Sequence, residues 1–271
     1  DRDSGRDGGA QVGRDRHIRR VLRHRKAPDK EGAEGGEALR SGELFSGIEG
    51  VLGRWHKIPD RKGYGGTGGP GKLLERLLGV GDGNQDIPDA GGWEVKFTRG
   101  TSYLTLFHNE PMPRRPSIVN AMVMNHGWED RMGRTSFRHT IWGRSKRGFE
   151  VRVENERISV VHRSQRVAPY WEVDDLTNAT GKLRRLALVY GTVDKDRRRV
   201  RYSEASCYSG FRFSDFLSGL EKGWICVEFD ARTEGDGIRN HGTKFRTRPQ
   251  HIGLMYRTVK LIKRGRSRGS K

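Results

Sequence analysis

The chain has 271 residues, with 53 Lys and Arg against 34 Asp and Glu and a formal net charge of +19. Hydrophobic residues make up 32%, and no run approaches the ~20 apolar residues of a membrane span or the apolar core of a secretory signal, so the composition predicts a soluble, intracellular protein with a polyanionic partner. Two cysteines, Cys207 and Cys226, are too few for a disulfide framework, and neither they nor the nine histidines have zinc-ligand spacing.

In chain order, residues 1–42 come first; eleven basic and eight acidic residues fall within 1–40, which predicts a mixed-charge, disordered tail. ELFSGIEGVLGR (43–54) predicts a short helix and DRKGYGGTGGPG (60–71) a polar, glycine-rich loop. GKLLERLLG (71–79) follows as a helix with Leu73, Leu74, Leu77 and Leu78 on one stripe and Gly79 as its stop. GDGNQDIPDAGG (81–92) is turn-rich. WEVKFT (93–98) alternates like a strand, TSYLTLFH (101–108) reads as a second strand, and Arg99-Gly100 between them predicts a hairpin turn. Segments 117–128, 149–162, 182–194 and 224–232 read as strands or mixed elements, and 212–222 as a helix. Trp93, Trp128, Trp142, Trp171 and Trp224 read as core or interface aromatics. From Arg257 to Lys271 the chain carries seven basic residues and no acid, which predicts a basic tail over 257–271 suited to lying along phosphates; plain solubility is the alternative.

Three motifs compete around the glycine-rich loop and the turn after the helix. Gly66 to Lys72 matches the GxxxxGK of a phosphate-cradling loop, but Leu73 stands where a hydroxyl should reach magnesium and no buried strand precedes it. Asp82, Asn84 and Asp86 imitate a calcium loop, but Ile87 replaces its glycine and Trp93 its bidentate glutamate. The third, Pro88-Asp89 followed by Glu94-Val95-Lys96, fits the pattern PD-x4-E-x-K. Phosphodiester hydrolysis needs carboxylates to hold a hard divalent cation, an activated water, and positive charge near the phosphoryl oxygens. Residues two apart on a strand face the same side, so Glu94 and Lys96 point into one site while Val95 points to the core and offers its carbonyl. An exposed Glu/Lys pair on a charged strand face gives the same letters. Glu75, on the preceding helix, adds a third carboxylate able to reach the cluster.

The run GTGGPGKLLERLLGV, then PD and GWEVKFTRG, resembles the MvaI/BcnI family of type II restriction endonucleases, relatives of the mismatch-repair nicking enzyme MutH in the PD-(D/E)XK nuclease superfamily. The resemblance covers residues 43–256, although 110–223 matches only in general character. It implies a restriction-endonuclease-like α/β core with a mixed central sheet flanked by helices and two lobes around a DNA-binding cleft, a catalytic lobe over 43–165 and a recognition lobe over 166–256. It implies that Asp89, Glu94 and Glu75 hold Mg2+ and that Lys96 positions the nucleophile. It also implies double-stranded DNA as substrate, 5′-phosphate products, a monomer cutting by successive nicks, a short G·C-containing target, a companion DNA methyltransferase not in direct contact, and a prokaryotic cytoplasm.

DARTEGDGIRNHGTKFR (230–246) resembles the family's recognition segment. Read by residue type, Arg232, Arg239, His241, Lys244 and Arg246 are donors for guanine edges or phosphates, Asp230 is an acceptor for cytosine amino groups or a brace for an arginine, and Gly242 allows close backbone approach. A solvated basic loop beside a core Phe245 is the plainer alternative. Thr98, Arg99, Ser102 and Tyr103 follow the catalytic strand closely enough to touch the scissile backbone. Two rival functions share these residues: a partner-activated nickase, which keeps the catalytic four, and a non-catalytic DNA-binding module, which has no use for them.

Overall fold

A computed structural model describes residues 34–79, 92–154, 156–164 and 167–263. The described chain divides into two compact units, each assembled from separated stretches: residues 34–104, Thr180–Arg212 and 248–263 form one, and Thr105–Ala179 with Phe213–Thr247 the other. The contiguous lobes 43–165 and 166–256 expected from the sequence are therefore not the compact units. Strands contributed by distant segments complete each sheet, and sheet pairing outweighs chain proximity.

The first unit is built on a mixed sheet. Helix α1 (Glu34–Val51) precedes strand β1 (Trp55–Lys57), and helix α2 (Gly69–Leu77) precedes β2 (Glu94–Thr98). A 3-10 turn (Thr180–Arg184) leads into β9 (Arg185–Val193), β10 (Arg199–Phe211) follows, and a second 3-10 turn (Pro249–Met255) leads into β14 (Tyr256–Lys263). The order is β1-β10-β9-β2, with β14 also on β10. β2 runs parallel to β9, Glu94 beside Leu186 and Lys96 beside Leu188, whereas β9, β10 and β14 pair antiparallel. β9 sits between two strands, and Leu186, Ala187, Leu188 and Val189 are wholly buried, which is why LALV reads as a continuous apolar run. One face of the sheet, through Val95, Ala187, Val189, Ala205 and Cys207, packs on Leu44, Ile48, Leu73 and Leu74 of α1 and α2.

Two expectations change here. The helix expected at 43–54 begins at Glu34, inside the stretch read as a tail, and the basic tail expected at 257–271 is strand β14 as far as Lys263. Tyr256 and Ile262 are buried among the basic residues, and the segment pairs antiparallel with β10 from Glu204 to Phe211. Residues 1–33 and 264–271 lie outside the described residues.

The second unit carries β3 (Leu104–His108), α3 (Ile118–His126), β4 (Trp128–Glu129), β5 (Thr135–Ile141), β6 (Phe149–Glu154), β7 (Arg157–His162), β8 (Tyr170–Glu172), α4 (Val173–Ala179), α5 (Phe213–Lys222), β11 (Ile225–Glu234), β12 (Gly237–Asn240) and β13 (Lys244–Thr247). Its larger sheet runs β3-β13-β11-β5-β4 with β12 on β11, and β6-β7-β8 form a smaller one. Thus 93–98 and 101–108 are not the two arms of a hairpin: β2 pairs β9 and β3 pairs β13, in different sheets. Thr98 Oγ1 accepts a hydrogen bond from the Gly100 amide at 3.0 Å, and Gly100 takes φ +83°, so the link bends away after β2. Residues 118–126, part of a segment read as a strand or mixed element, are helical, while the helix expected at 212–222 is α5. Among the described residues no helix is long and apolar enough to cross a membrane.

Candidate active site

β2 carries the central pair. Val95 lies in the core cluster with Phe97 packed against it, and the strand period therefore puts Glu94 and Lys96 on the opposite face. Lys96 Nζ donates to Glu94 Oε1 at 2.7 Å, and the two side chains are only 17% and 8% exposed. That burial removes the plainer reading of a solvated Glu/Lys pair. A carboxylate held this far from water is stabilised by a cation beside it, and Lys96 lies in that place. Tyr256, whose hydroxyl donates to the Leu183 carbonyl at 2.8 Å, is held neutral first by burial and then by the charge of Glu94.

Glu75 lies on α2, half-buried, between the buried Leu74 and the exposed Arg76. The helix starts where the sequence allows it: Gly68 and Gly69 open the turn, Pro70 occupies the first turn, and Leu73 and Leu74 face the core. The charge of Glu75 is felt at Tyr202, whose phenol is pushed to a higher pKa mainly by burial and secondly by that glutamate. Tyr202 donates to the Pro70 carbonyl at 2.7 Å and packs edge-on against Phe97, at 5.7 Å between ring centres. Asp89 lies outside the described residues. Among the described residues no three His, Cys, Asp or Glu side chains form a metal-binding group. Both thiols are buried and pushed up to about 12 by desolvation.

Of the residues expected beyond the catalytic strand, Thr98 is buried and its hydroxyl serves the turn at Gly100, whereas Arg99 and Ser102 are exposed. Tyr103 is exposed too, and Arg248 stacks over its ring at 5.3 Å and donates to its hydroxyl at 3.2 Å.

In the other unit, β5, β11 and β13 present one apolar and one charged face. Phe137, Val227, Phe229 and Phe245 go inward, and Phe107 stacks on Phe245 at 4.8 Å. On the opposite face Lys244 bridges Asp230 at 3.1 Å and Glu228 at 3.4 Å, Arg246 also pairs with Glu228, and Arg138 approaches the other oxygen of Asp230 at 3.2 Å. Lys244, Arg246 and Asp230 of the expected set are thus brought together. Arg232 and Arg239 are cross-strand partners beside Glu234, which Arg239 holds at 3.1 Å.

His241 is exposed, and its backbone amide donates to the Asp230 carbonyl at 2.8 Å. The loop around it is braced by Glu110, which accepts from Asn240 Nδ2 at 2.8 Å and from the Thr243 amide at 2.7 Å. Gly242 takes φ +90°. Sequence reading missed Glu110, Arg138 and Glu228. Glu228 shares the i, i+2 alternation of Asp230 and Arg232 and was legible from it; the other two become visible only when strands far apart in the chain are paired.

Against known proteins, the model of the MvaI/BcnI restriction endonuclease family matches residues 49–256. Among solved structures, restriction endonuclease MvaI in complex with its cognate DNA substrate is similar at 23% identity and a TM-score of 0.66, covering 86% of this chain and 100% of that chain. MvaI in the absence of DNA is similar at 25% identity and a TM-score of 0.50, with the same coverage. At such identity these likenesses speak for the fold, which is restriction-endonuclease-like. No curated protein matches the sequence. The family match spans most of the chain: the chain belongs to the MvaI/BcnI restriction endonuclease family, as a type II site-specific deoxyribonuclease.

Proposed function

We propose that this chain is a Mg2+-dependent endonuclease that reads a short sequence in double-stranded DNA and hydrolyses it to 5′-phosphate ends, with Asp89, Glu94, Glu75 and Lys96 as its catalytic residues. The observation that carries the reading is the buried Glu94–Lys96 pair at 2.7 Å, on a strand that lies within the stretch matched by a family of DNA endonucleases. Restriction endonucleases of this kind generally use divalent metal ions. The donors that the sequence and β2 offer are carboxylate oxygens, and hard oxygen donors suit Mg2+. Asp89 and Glu94 would hold the ion, with Glu75 assisting it or the attacking water. When bound, it supplies Lewis-acid stabilisation of the phosphoryl oxygens and favours deprotonation of water.

The remaining chemistry belongs to the side chains. Lys96 Nζ, held by Glu94, orients the attacking water while countering charge on the phosphoryl oxygens. Water adds to phosphorus, the P–O3′ bond breaks, and the leaving oxygen takes a proton. The charged face of β5, β11 and β13 carries the donors and acceptors for base edges, and the DNA of the similar MvaI complex supports the same class of substrate here. The chain acts as a monomer that nicks the strands in turn, with a companion methyltransferase protecting host DNA.

The test is incubation of the wild type, Asp89→Ala and Glu94→Gln with unmethylated plasmid DNA in Mg2+ and in EDTA, followed by sequencing of fragment ends. Discrete Mg2+-dependent fragments sharing one sequence, lost in both variants, are expected. Cleavage unaffected by either variant removes the proposed site, and nicking only after addition of a cell extract favours a partner-activated nickase.

A further inference from the structure

By strand period alone, Tyr202 would share a face with Glu204 and Ser206 and point away from the helices, to the side of the sheet that carries Glu94 and Lys96. The register prevents this. Tyr202 of β10 pairs with Gly191 of β9, and Glu204 pairs with Tyr190, so Ser203 is an extra residue in the ladder; its hydroxyl donates to the Tyr190 carbonyl at 3.1 Å. One inserted residue inverts the alternation, and Tyr202 joins Val95, Val189, Ala205 and Cys207 in the core beneath α1 and α2.

There it closes a ring of contacts between α2 and β2. The phenol is wholly buried, and its hydroxyl donates at 2.7 Å to the carbonyl of Pro70, in the first turn of α2. Its ring meets that of Phe97, the residue after Lys96 on β2, edge-on at 5.7 Å. Phe97 in turn lies against the helix, since a Cβ on Gly71 would stand 3.9 Å from the Cβ of Phe97. Gly191 makes the space: a Cβ there would lie 3.0 Å from the Phe97 ring and 2.5 Å from the Arg201 carbonyl oxygen. The backbone is tied as well, with the Gly53 amide donating to the Tyr202 carbonyl at 2.7 Å.

A hydroxyl costs free energy to bury, and phenylalanine would serve packing alone. What the hydroxyl adds is direction, because a hydrogen bond fixes how far α2 slides along β2 and apolar contacts do not. Glu75 stands on this nine-residue helix, and Glu94 and Lys96 stand on β2.

We propose that Tyr202 is a positioning residue for cleavage, its hydroxyl setting the seat of α2 on β2 and through it the place of Glu75 relative to the Glu94–Lys96 pair. The assignment rests on the reading of Glu75 as a catalytic carboxylate. Being wholly buried, the tyrosine acts through the helix and not by touching substrate.

The test uses the full chain as wild type, Y202F, E75Q and Y202F/E75Q. Y202F keeps the ring against Phe97 and deletes one oxygen. Single-turnover cleavage in Mg2+ is expected to fall by about 10–100-fold in Y202F, with DNA binding in EDTA and the cut sites unchanged. Y202F/E75Q is expected to be no slower than E75Q, because the hydroxyl then has nothing left to place. A Y202F rate within about threefold of wild type overturns the proposal. So does a double variant slower than E75Q by the full Y202F factor, since the bond then serves the core in general. Amide exchange in metal-free protein is read apart from activity: faster exchange in Y202F confined to residues 72–78 is expected, and unchanged exchange there, or faster exchange throughout the unit, overturns the proposal. Should Y202F melt early, rates are taken below its melting range. E75Q as fast as wild type counts against the reading of Glu75, whereas a slow E75Q beside a normal Y202F counts against the positioning role alone.

Discussion

Lys96 Nζ lies 2.7 Å from Glu94 Oε1, on the same face of an edge strand and with little of either side chain open to water. Two charges buried as a pair cannot be treated singly, because removing one leaves the other desolvated and uncompensated. Lys96→Met is therefore expected to lower single-turnover cleavage by about 10^2–10^4-fold while DNA binding in EDTA stays near wild type. Cleavage within threefold of wild type would remove Lys96 from the chemistry.

Glu228 anchors Lys244 and Arg246 from a neighbouring strand. Glu228→Gln keeps the volume but removes the charge that holds both cations extended. Discrimination between the target and single-base variants is expected to fall by about 1–3 kcal/mol, read as new cut sites when fragment ends are sequenced. Unchanged cut sites with unchanged binding would mean that the pairs serve only the sheet.

Acid should weaken the second unit through His139. Burial first, and then the nearby Arg147 charge, depress this imidazole to about 4, and its Nε2 lies 2.9 Å from Ser145 Oγ. The folded value is below the ordinary 6.5, so the unfolded chain takes up the proton first; the contribution to stability is complete above about pH 6.5 and is lost as pH falls toward 4. His126, lowered mainly by burial, acts in the same direction. Since water reaches part of the His139 ring, the discounted effect is about 1–2 kcal/mol. Urea melts at pH 7.5 and 5 should differ for the wild type and differ less for His139→Gln; equal differences would refute the assignment.

Gly69→Ala tests the glycine-rich loop at the start of α2, which folds around the buried Tyr64. Its Cβ would meet a backbone oxygen at 2.0 Å, which no side-chain rotation relieves. A loss of about 2–4 kcal/mol in thermal or urea unfolding is expected. A loss under 0.5 kcal/mol would mean that the chain near Tyr64 adjusts freely.

The legible parts of this protein were those set by neighbours in sequence. The leucines of 71–79 placed α2, the apolar stripe of 212–222 placed α5, and the period of a strand put Glu94 and Lys96 on one face before any fold was known. The errors came where local pattern and long-range pairing disagree. Arg99-Gly100 has the letters of a hairpin turn, yet the strands on either side pair in different sheets. Residues 257–263 have the composition of a solvated tail, yet seven residues of β10 find partners between Tyr256 and Lys263.

By itself, then, the sequence determined the reaction chemistry on offer: carboxylates and a lysine at fixed spacing, a surplus of arginine, and the helix and strand that carry them. Side-chain identity and backbone periodicity are local and do not wait for the fold. Only the tertiary structure decided that β2 lies parallel to β9 with the Glu94–Lys96 pair buried, that Glu228 meets Lys244 and Arg246 across strands, and that Arg61 and Lys72 lie over the ring of Tyr64. Those relations depend on closing long loops to bury apolar faces, and the resulting register sets which charges become neighbours.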